Sequence, residues 1–310
     1  MTLRLGMVGL SEGNGHPYSF SAIVNGFDEE GMKAAGWPTI HAYLRERDSA
    51  DFGFGDVRVT HVWTQDAAES RKIARASCVP TVVDRLEDLR SSVDAVILAR
   101  DDCENHVEMA RPFLEQGLPV FIDKPLALTV EDLDFFRPYV EKGRLLSVSG
   151  VRYAGELDGL KARLDGLGKL RLARGAVVRS WEKYAIHVLE GIFSVIPLRV
   201  TSVSACPAGH ASMTLTQEDG SVVQIDALGQ VPPTFAMDFW GENSRYHAEV
   251  RDFFTAFRRT LGAFIRLVQT GHPPFPPADT IRLMEILMAG QRSRAEKRPV
   301  SLDEFEGGPK

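Results

Sequence analysis

Cysteine is scarce in this 310-residue chain: Cys78, Cys103 and Cys206 are an odd, widely spaced set. That argues against a disulfide framework and against a thiolate metal site, and no metal is expected. No apolar run approaches the ~18 residues that a membrane-spanning helix needs. There is no excess of basic charge either. The formal net charge is −6 and the Lys and Arg residues are scattered, so neither a nucleic-acid nor a membrane partner is expected. Repeats and low-complexity segments are absent, and only Gly307–Lys310 reads as a frayed tail. The start, Met1-Thr2-Leu3-Arg4-Leu5, enters an apolar segment directly and lacks the basic and apolar regions of a signal peptide, so a reducing cytoplasm is the expected setting.

What is present is an ordinary globular composition, 44% hydrophobic and 25% charged, at a length that suits two domains. In the first half, short apolar strands alternate with helix patterns. Strands are expected at 3–10, 57–64, 81–83, 93–99 and 119–122, with helices at 17–26, 66–76 and 105–116 between them. Gly117 supplies a C-terminal cap for the last of these helices. Such alternation implies a doubly wound parallel sheet covered on both faces, an α/β nucleotide-binding layout. Residues 27–55 interrupt it with a long polar segment bearing Trp37, His41, Tyr43, Phe52 and Phe54.

The second half reads differently. Strands are expected at 173–180, 200–206, 212–217, 221–228 and 234–240, with Glu218-Asp219-Gly220 as a hairpin turn, followed by helices at 248–268 and 280–294. Consecutive strands joined by short turns make an antiparallel sheet. The chain is therefore divided into a dinucleotide-binding domain, 1–125, and a second domain, 126–310.

Two segments carry the chemistry. Phe121-Ile122-Asp123-Lys124-Pro125 ends an apolar strand in a carboxylate, an ammonium and a proline. Proline stops the ladder, and the carboxyl edge of an open α/β sheet is where ligands bind. A lysine held there can bind an oxyanion or trade a proton with a hydroxyl. After the first strand comes Gly9-Leu10-Ser11-Glu12-Gly13-Asn14-Gly15-His16, a candidate phosphate cradle at a helix start. It departs from G-x-G-x-x-G, because Ser11 replaces the second glycine and Gly13 and Gly15 are shifted. A flexible turn with no ligand is the other reading of that segment. The second strand ends in Thr64-Gln65-Asp66. Thr64 brings no carboxylate for an adenosine ribose, and Arg71 and Lys72 can reach a 2′-phosphate or sit solvated, so NADP is slightly preferred to NAD.

With these pieces placed, the chain resembles the glucose-fructose oxidoreductase, inositol dehydrogenase and MocA family of NAD(P)-dependent oxidoreductases over nearly its whole length. Asp123-Lys124-Pro125 is similar to the family's Glu-Lys-Pro signature. Val93–Ala99, with Arg100 and His106 after it, is similar to the strand and helix start that border the nicotinamide ribose. The resemblance implies a Rossmann domain followed by an α+β domain with an open, mainly antiparallel sheet, through which a homodimer or homotetramer forms. It implies hydride transfer at a carbinol carbon of a sugar, cyclitol or related polyol, with Lys124 on the substrate hydroxyl. It places Gly9, Ser11, Gly13, Asn14, Gly15, His16, Thr64, Ala99, Arg100, His106, Asp123 and Lys124 around the cofactor.

The family's Asp-x-Gly-x-His-x-x-Asp signature falls on Lys183-Tyr184-Ala185-Ile186-His187-Val188-Leu189-Glu190. His187 fits and Glu190 is a conservative change, while Lys183 and Ala185 depart from the pattern. His187 can take the hydroxyl proton as hydride leaves, or be a satisfied core histidine. Lys183 can join the catalytic group and favour an anionic substrate, or be a solvated helix-start lysine. Arg152, Tyr153 and Tyr184 are candidate substrate contacts, Tyr184 also fitting a packing role. A redox-neutral enzyme that oxidises its substrate transiently and a non-catalytic nucleotide- or sugar-binding dimer are the alternatives.

Overall fold

Strand β1 (Leu3–Val8) buries Leu5, Met7 and Val8 completely in the computed structural model, which describes residues 2–305. The tail at 307–310 lies outside the described residues. The chain divides into two units. The first holds residues up to Leu126 together with Asp134–Ser147 and Phe257–Pro277, and the second holds Ala127–Leu133, Val148–Ala256 and the residues from Ala278 onward. A single cut after residue 125 misses these returns, because helical segments distant in sequence complete the first unit's core.

After β1 the first unit runs through α1 (His16–Asn25), α2 (Glu29–Ala34), α3 (Pro38–Arg45), β2 (Val57–Trp63), α4 (Ala67–Ala76), β3 (Thr81–Val82), β4 (Ala95–Leu98), α5 (His106–Glu115) and β5 (Val120–Ile122). Helix α6 (Val130–Glu141) and β6 (Leu145–Leu146) follow. The six strands are parallel in the order β3-β2-β1-β4-β5-β6. This is the doubly wound sheet expected from the alternation, with order reversing at β1 and β4, and ligands bind at the carboxyl ends beside such a reversal. Continuous apolar runs such as Ala95–Leu98 are buried throughout because helices cover both faces. Strand β6 escapes sequence reading, being only two residues long.

The 27–55 insertion forms α2, α3 and a short 3-10 turn, and it packs on α1. Tyr43 donates to Ser19 Oγ at 2.5 Å. Gly15 is required by this packing: a Cβ there would lie 2.5 Å from Ile40 Cδ1 and 2.7 Å from the Trp37 ring.

The second unit contains α7 (Asp158–Lys161), β7 (Leu170–Val177), α8 (Trp181–Phe193), β8 (Val200–Cys206), β9 (Ala211–Gln217), β10 (Val222–Ala227), β11 (Phe235–Gly241) and β12 (Arg245–Glu249). Helix α9 (Phe253–Thr270) begins in it, and α10 (Pro277–Glu296) and β13 (Val300–Ser301) complete it. Its seven-stranded sheet has the order β12-β11-β7-β10-β9-β8-β13, antiparallel except where β7 meets β10. The helix expected from residue 248 instead starts at Phe253, because Arg245–Glu249 pairs with β11. Ala173, Val177, Val223, Ile225, Met213 and Phe239 are buried, and α8 lies against β7, β10 and β11. Trp181 anchors the start of α8, fully buried with its indole N–H donating to the Leu287 carbonyl at 2.8 Å.

Candidate functional site

In the first unit, Lys124 sits just past the carboxyl end of β5 and is 4% exposed. Beside it, Asp123 accepts from Asn14 Nδ2 at 2.9 Å and pairs with His16 Nδ1 at 2.5 Å. Burial pushes the Asp123 pKa up, but His16, Lys124 and Asn14 together more than offset it and hold the carboxyl below its ordinary range. His16 is fixed in turn by its ring stacked on Phe20, centroids 4.6 Å apart.

The turn after β1 is braced by side chains. Ser11 donates to Asp101 Oδ1 at 2.7 Å, and the Asp101 N–H donates back to Ser11 Oγ at 3.2 Å. Gln65, at the tip of β2, accepts from the Leu10 N–H and donates to the Leu10 carbonyl. Arg100 also donates to Leu10 O and forms an ion pair with Asp102. No protein acceptor takes the N–H groups of Ser11, Glu12 or Gly13 among the described residues. Gly13 has φ +74 with open space where a Cβ would stand. Three unclaimed donors in a turn between strand and helix fit a diphosphate. The first turn of α1 adds less than usual, since Asn14 Oδ1 accepts the His16 N–H and Pro17 has none to give.

Three residues expected around the cofactor are engaged elsewhere. Thr64 is 4% exposed, with its hydroxyl donating to the Asp66 carbonyl at 2.6 Å, so it shapes the β2–α4 turn. Ala99 continues the sheet through its N–H to Val8 O. His106 is fully buried, its two ring nitrogens 3.0 and 2.9 Å from the Leu126 and Arg100 carbonyls. Burial lowers its pKa, with those carbonyls pulling the other way.

In the second unit, His187 lies on α8, 8% exposed, with Nδ1 2.7 Å from Ser149 Oγ. Its ring meets Tyr184 edge-on at 5.2 Å and Phe235 at 5.3 Å. Lys183 is exposed on the first turn of the helix, and Ser180 caps that turn by accepting the Lys183 N–H. Arg152, read from sequence as a substrate contact, is 7% exposed and committed inward. It donates to Glu190 Oε2 at 2.6 Å and to Asp279 Oδ2 at 3.2 Å. Burial works against its charge, but the two carboxylates raise its pKa, and Arg152 in turn opposes the upward push that burial exerts on Glu190. Tyr153, beside it, is half-buried. Sequence reasoning missed Ser149, Gln65 and Asp101, because nothing local marks a side chain whose partner lies tens of residues away. Among the described residues there is no cluster of metal-ligating side chains, and no helix is long and apolar enough to cross a membrane.

Residues 4–149 match the oxidoreductase family with the NAD-binding Rossmann fold, the glucose-fructose oxidoreductase, inositol dehydrogenase and MocA group. This part of the chain is similar to that family. A curated relative, the "Putative UDP-kanosamine synthase oxidoreductase subunit" of Amycolatopsis mediterranei (strain S699), is 29% identical over 126 residues, which cover 40% of this chain and only 34% of that protein. Two solved structures share the fold. One is myo-inositol 2-dehydrogenase from Lactobacillus plantarum, with 16% identity, TM-score 0.77, and coverage of 97% of this chain and 99% of that one. The other is scyllo-inositol dehydrogenase from Lactobacillus casei with bound NAD(H) and scyllo-inositol, with 13% identity, TM-score 0.76, and coverage of 98% and 100%.

Within the family segment, the Asp123-Lys124-Pro125 signature stands at the carboxyl end of β5, and the Gly-containing turn at the carboxyl end of β1, in one parallel sheet. The family's cofactor group fits this turn through the unclaimed N–H donors and the open side of Gly13.

Proposed function

We propose that the protein is an NAD-dependent oxidoreductase that moves hydride to or from a carbinol or carbonyl carbon of a sugar, cyclitol or related polyol. The observation that carries this reading is Lys124, buried at a strand end beside a carboxylate held ionised, in the sheet whose first turn keeps three N–H donors unclaimed. The N–H groups of Ser11, Glu12 and Gly13 would hold the diphosphate of a bound cofactor. Bound nicotinamide supplies the hydride acceptor or donor. The Lys124 ammonium polarises the reacting oxygen and stabilises its alkoxide character. In the second unit, His187, with Nδ1 held by Ser149, is the general acid–base candidate, with Nε2 as its proton-exchanging atom.

Although the sequence leaned to NADP, the geometry favours NAD. Asp66 caps α4 and Glu69 stands in its first turn, close to the β2 tip, and Lys72 is already paired with Glu69 at 3.0 Å. Carboxylates there repel a 2′-phosphate. The proposed assembly is a homo-oligomer, dimer or tetramer, formed through the second sheet. Light scattering tests that state. The three free cysteines support a cytoplasmic setting.

The deciding experiment is a thermal shift with NADH and with NADPH, followed by turnover assays on polyols. No shift from either nucleotide at millimolar concentration sinks the proposal. Turnover without NADH accumulation favours a redox-neutral reaction with the same residues.

A further inference from the structure

We infer that Arg179, braced over Tyr184, recognises an anionic group on the substrate, either a carboxylate or a phosphate; this rests on the oxidoreductase reading above. Arg179 lies between the end of β7 and Ser180, the N-cap of α8. Its φ is +59, the left-handed region that residues with a Cβ enter only under strain. The backbone is held there by reciprocal hydrogen bonds, with the Arg179 N–H donating to Gly229 O at 2.7 Å and the Gly229 N–H donating to Arg179 O at 3.0 Å. Glycine or asparagine would sit in this conformation with less strain.

The side chain explains what the arginine adds. Its guanidinium carbon is 4.9 Å from the centroid of the Tyr184 ring, a cation–π arrangement. A guanidinium held over a ring face by cation–π attraction spends no N–H donor on it. Arg152, Arg171 and Arg174 each pair with a carboxylate. Arg179 has no such ion pair among the described residues, and it is exposed. The Tyr184 ring that carries it also lies edge-on to His187, so this cation and the proton-exchanging imidazole flank the same ring. Lys183, exposed on the same helix turn, adds a second positive charge. A guanidinium held over the ring with no carboxylate partner matches the paired oxygens of a carboxylate or phosphate. The substrate class is therefore a sugar or cyclitol carrying one such group, a sugar acid or a sugar phosphate.

The test is isothermal titration of hexuronates, hexose 6-phosphates and the parent neutral hexoses into the full-length protein with NADH present. The wild type should prefer one anionic series to its neutral parent by at least about tenfold, the scale of a charge-assisted pair. Whether the acids or the phosphates gain identifies the group. Arg179→Asn, which tolerates the left-handed backbone, should erase the preference, and Arg179→Lys should recover only part of it. Retention of the preference in Arg179→Asn overturns the inference, as does a wild type that responds to NADH but favours neither anionic series. A wild type whose melting temperature ignores NADH overturns the underlying oxidoreductase reading instead.

Discussion

Ser149 Oγ lies 2.7 Å from His187 Nδ1, with both side chains buried. The same hydroxyl accepts the Val151 N–H at 3.2 Å, which fixes it in place. A hydroxyl can donate to a neutral imidazole nitrogen or accept from a protonated one, so it supports His187 in either protonation state. Ser149→Ala should lower kcat by about tenfold, less than the 10²–10⁴ of a general acid–base group itself, while KM changes little. Ser149→Thr should recover part of the loss, and the pH–rate profile should shift in the alanine variant. An unchanged kcat and profile would remove Ser149 from the mechanism.

Lys124→Met and His187→Ala should each cut turnover by roughly 10²–10⁴. The NADH-induced melting shift should survive in both, because the diphosphate donors are backbone groups. Full activity in either variant contradicts its assigned role.

NADH should raise the melting temperature more than NADPH does at equal concentration. Glu69→Gln should narrow that difference, since one of the carboxylates near the β2 tip is lost. A larger response to NADPH in the wild type restores the sequence-based lean.

The Asp123 carboxyl titrates below its ordinary range in the folded protein, so its contribution to stability is present above that range and is lost as pH falls through the folded value. Asp123→Asn should therefore melt lower than wild type at neutral pH, with the gap closing below about pH 4, the ordinary aspartate range. Melting curves across pH measure this; a gap that stays constant down the acid limb would be inconsistent with an ionised Asp123.

Arg152→Met leaves Glu190 buried without its cation and should destabilise by roughly 3–5 kcal/mol. Adding Glu190→Gln should return part of that loss. Urea denaturation of the single and double variants measures the coupling, and additive losses would mean the 2.6 Å pair is not energetically linked.

Much of the fold was legible because apolar periodicity is local. The run at 93–99 and the helix pattern at 105–116 predict elements that the structure places within a few residues. Arg245–Glu249 was not legible: its strand character comes from pairing with β11, not from alternation of its own. Lys124 and His187 were candidates from motifs whose residues are neighbours in sequence. The inward hydrogen bonds of Arg152 and Thr64, onto two acids and a carbonyl, were not legible, because their partners are fixed by the fold.

The sequence by itself determined the alternation of strands and helices up to residue 122, the strand-end Asp123-Lys124-Pro125 and the absence of long apolar runs, since each is set by residues within one element. Which polar groups are consumed inside the protein was decided by tertiary structure. Ser11 meets Asp101 across 90 residues, Asn14 meets Asp123 across 109, and Ser149 meets His187 across 38. Hydrogen bonds saturate: a donor spent on such a partner is withdrawn from ligands, and only the folded chain shows that the N–H groups of Ser11, Glu12 and Gly13 were left over.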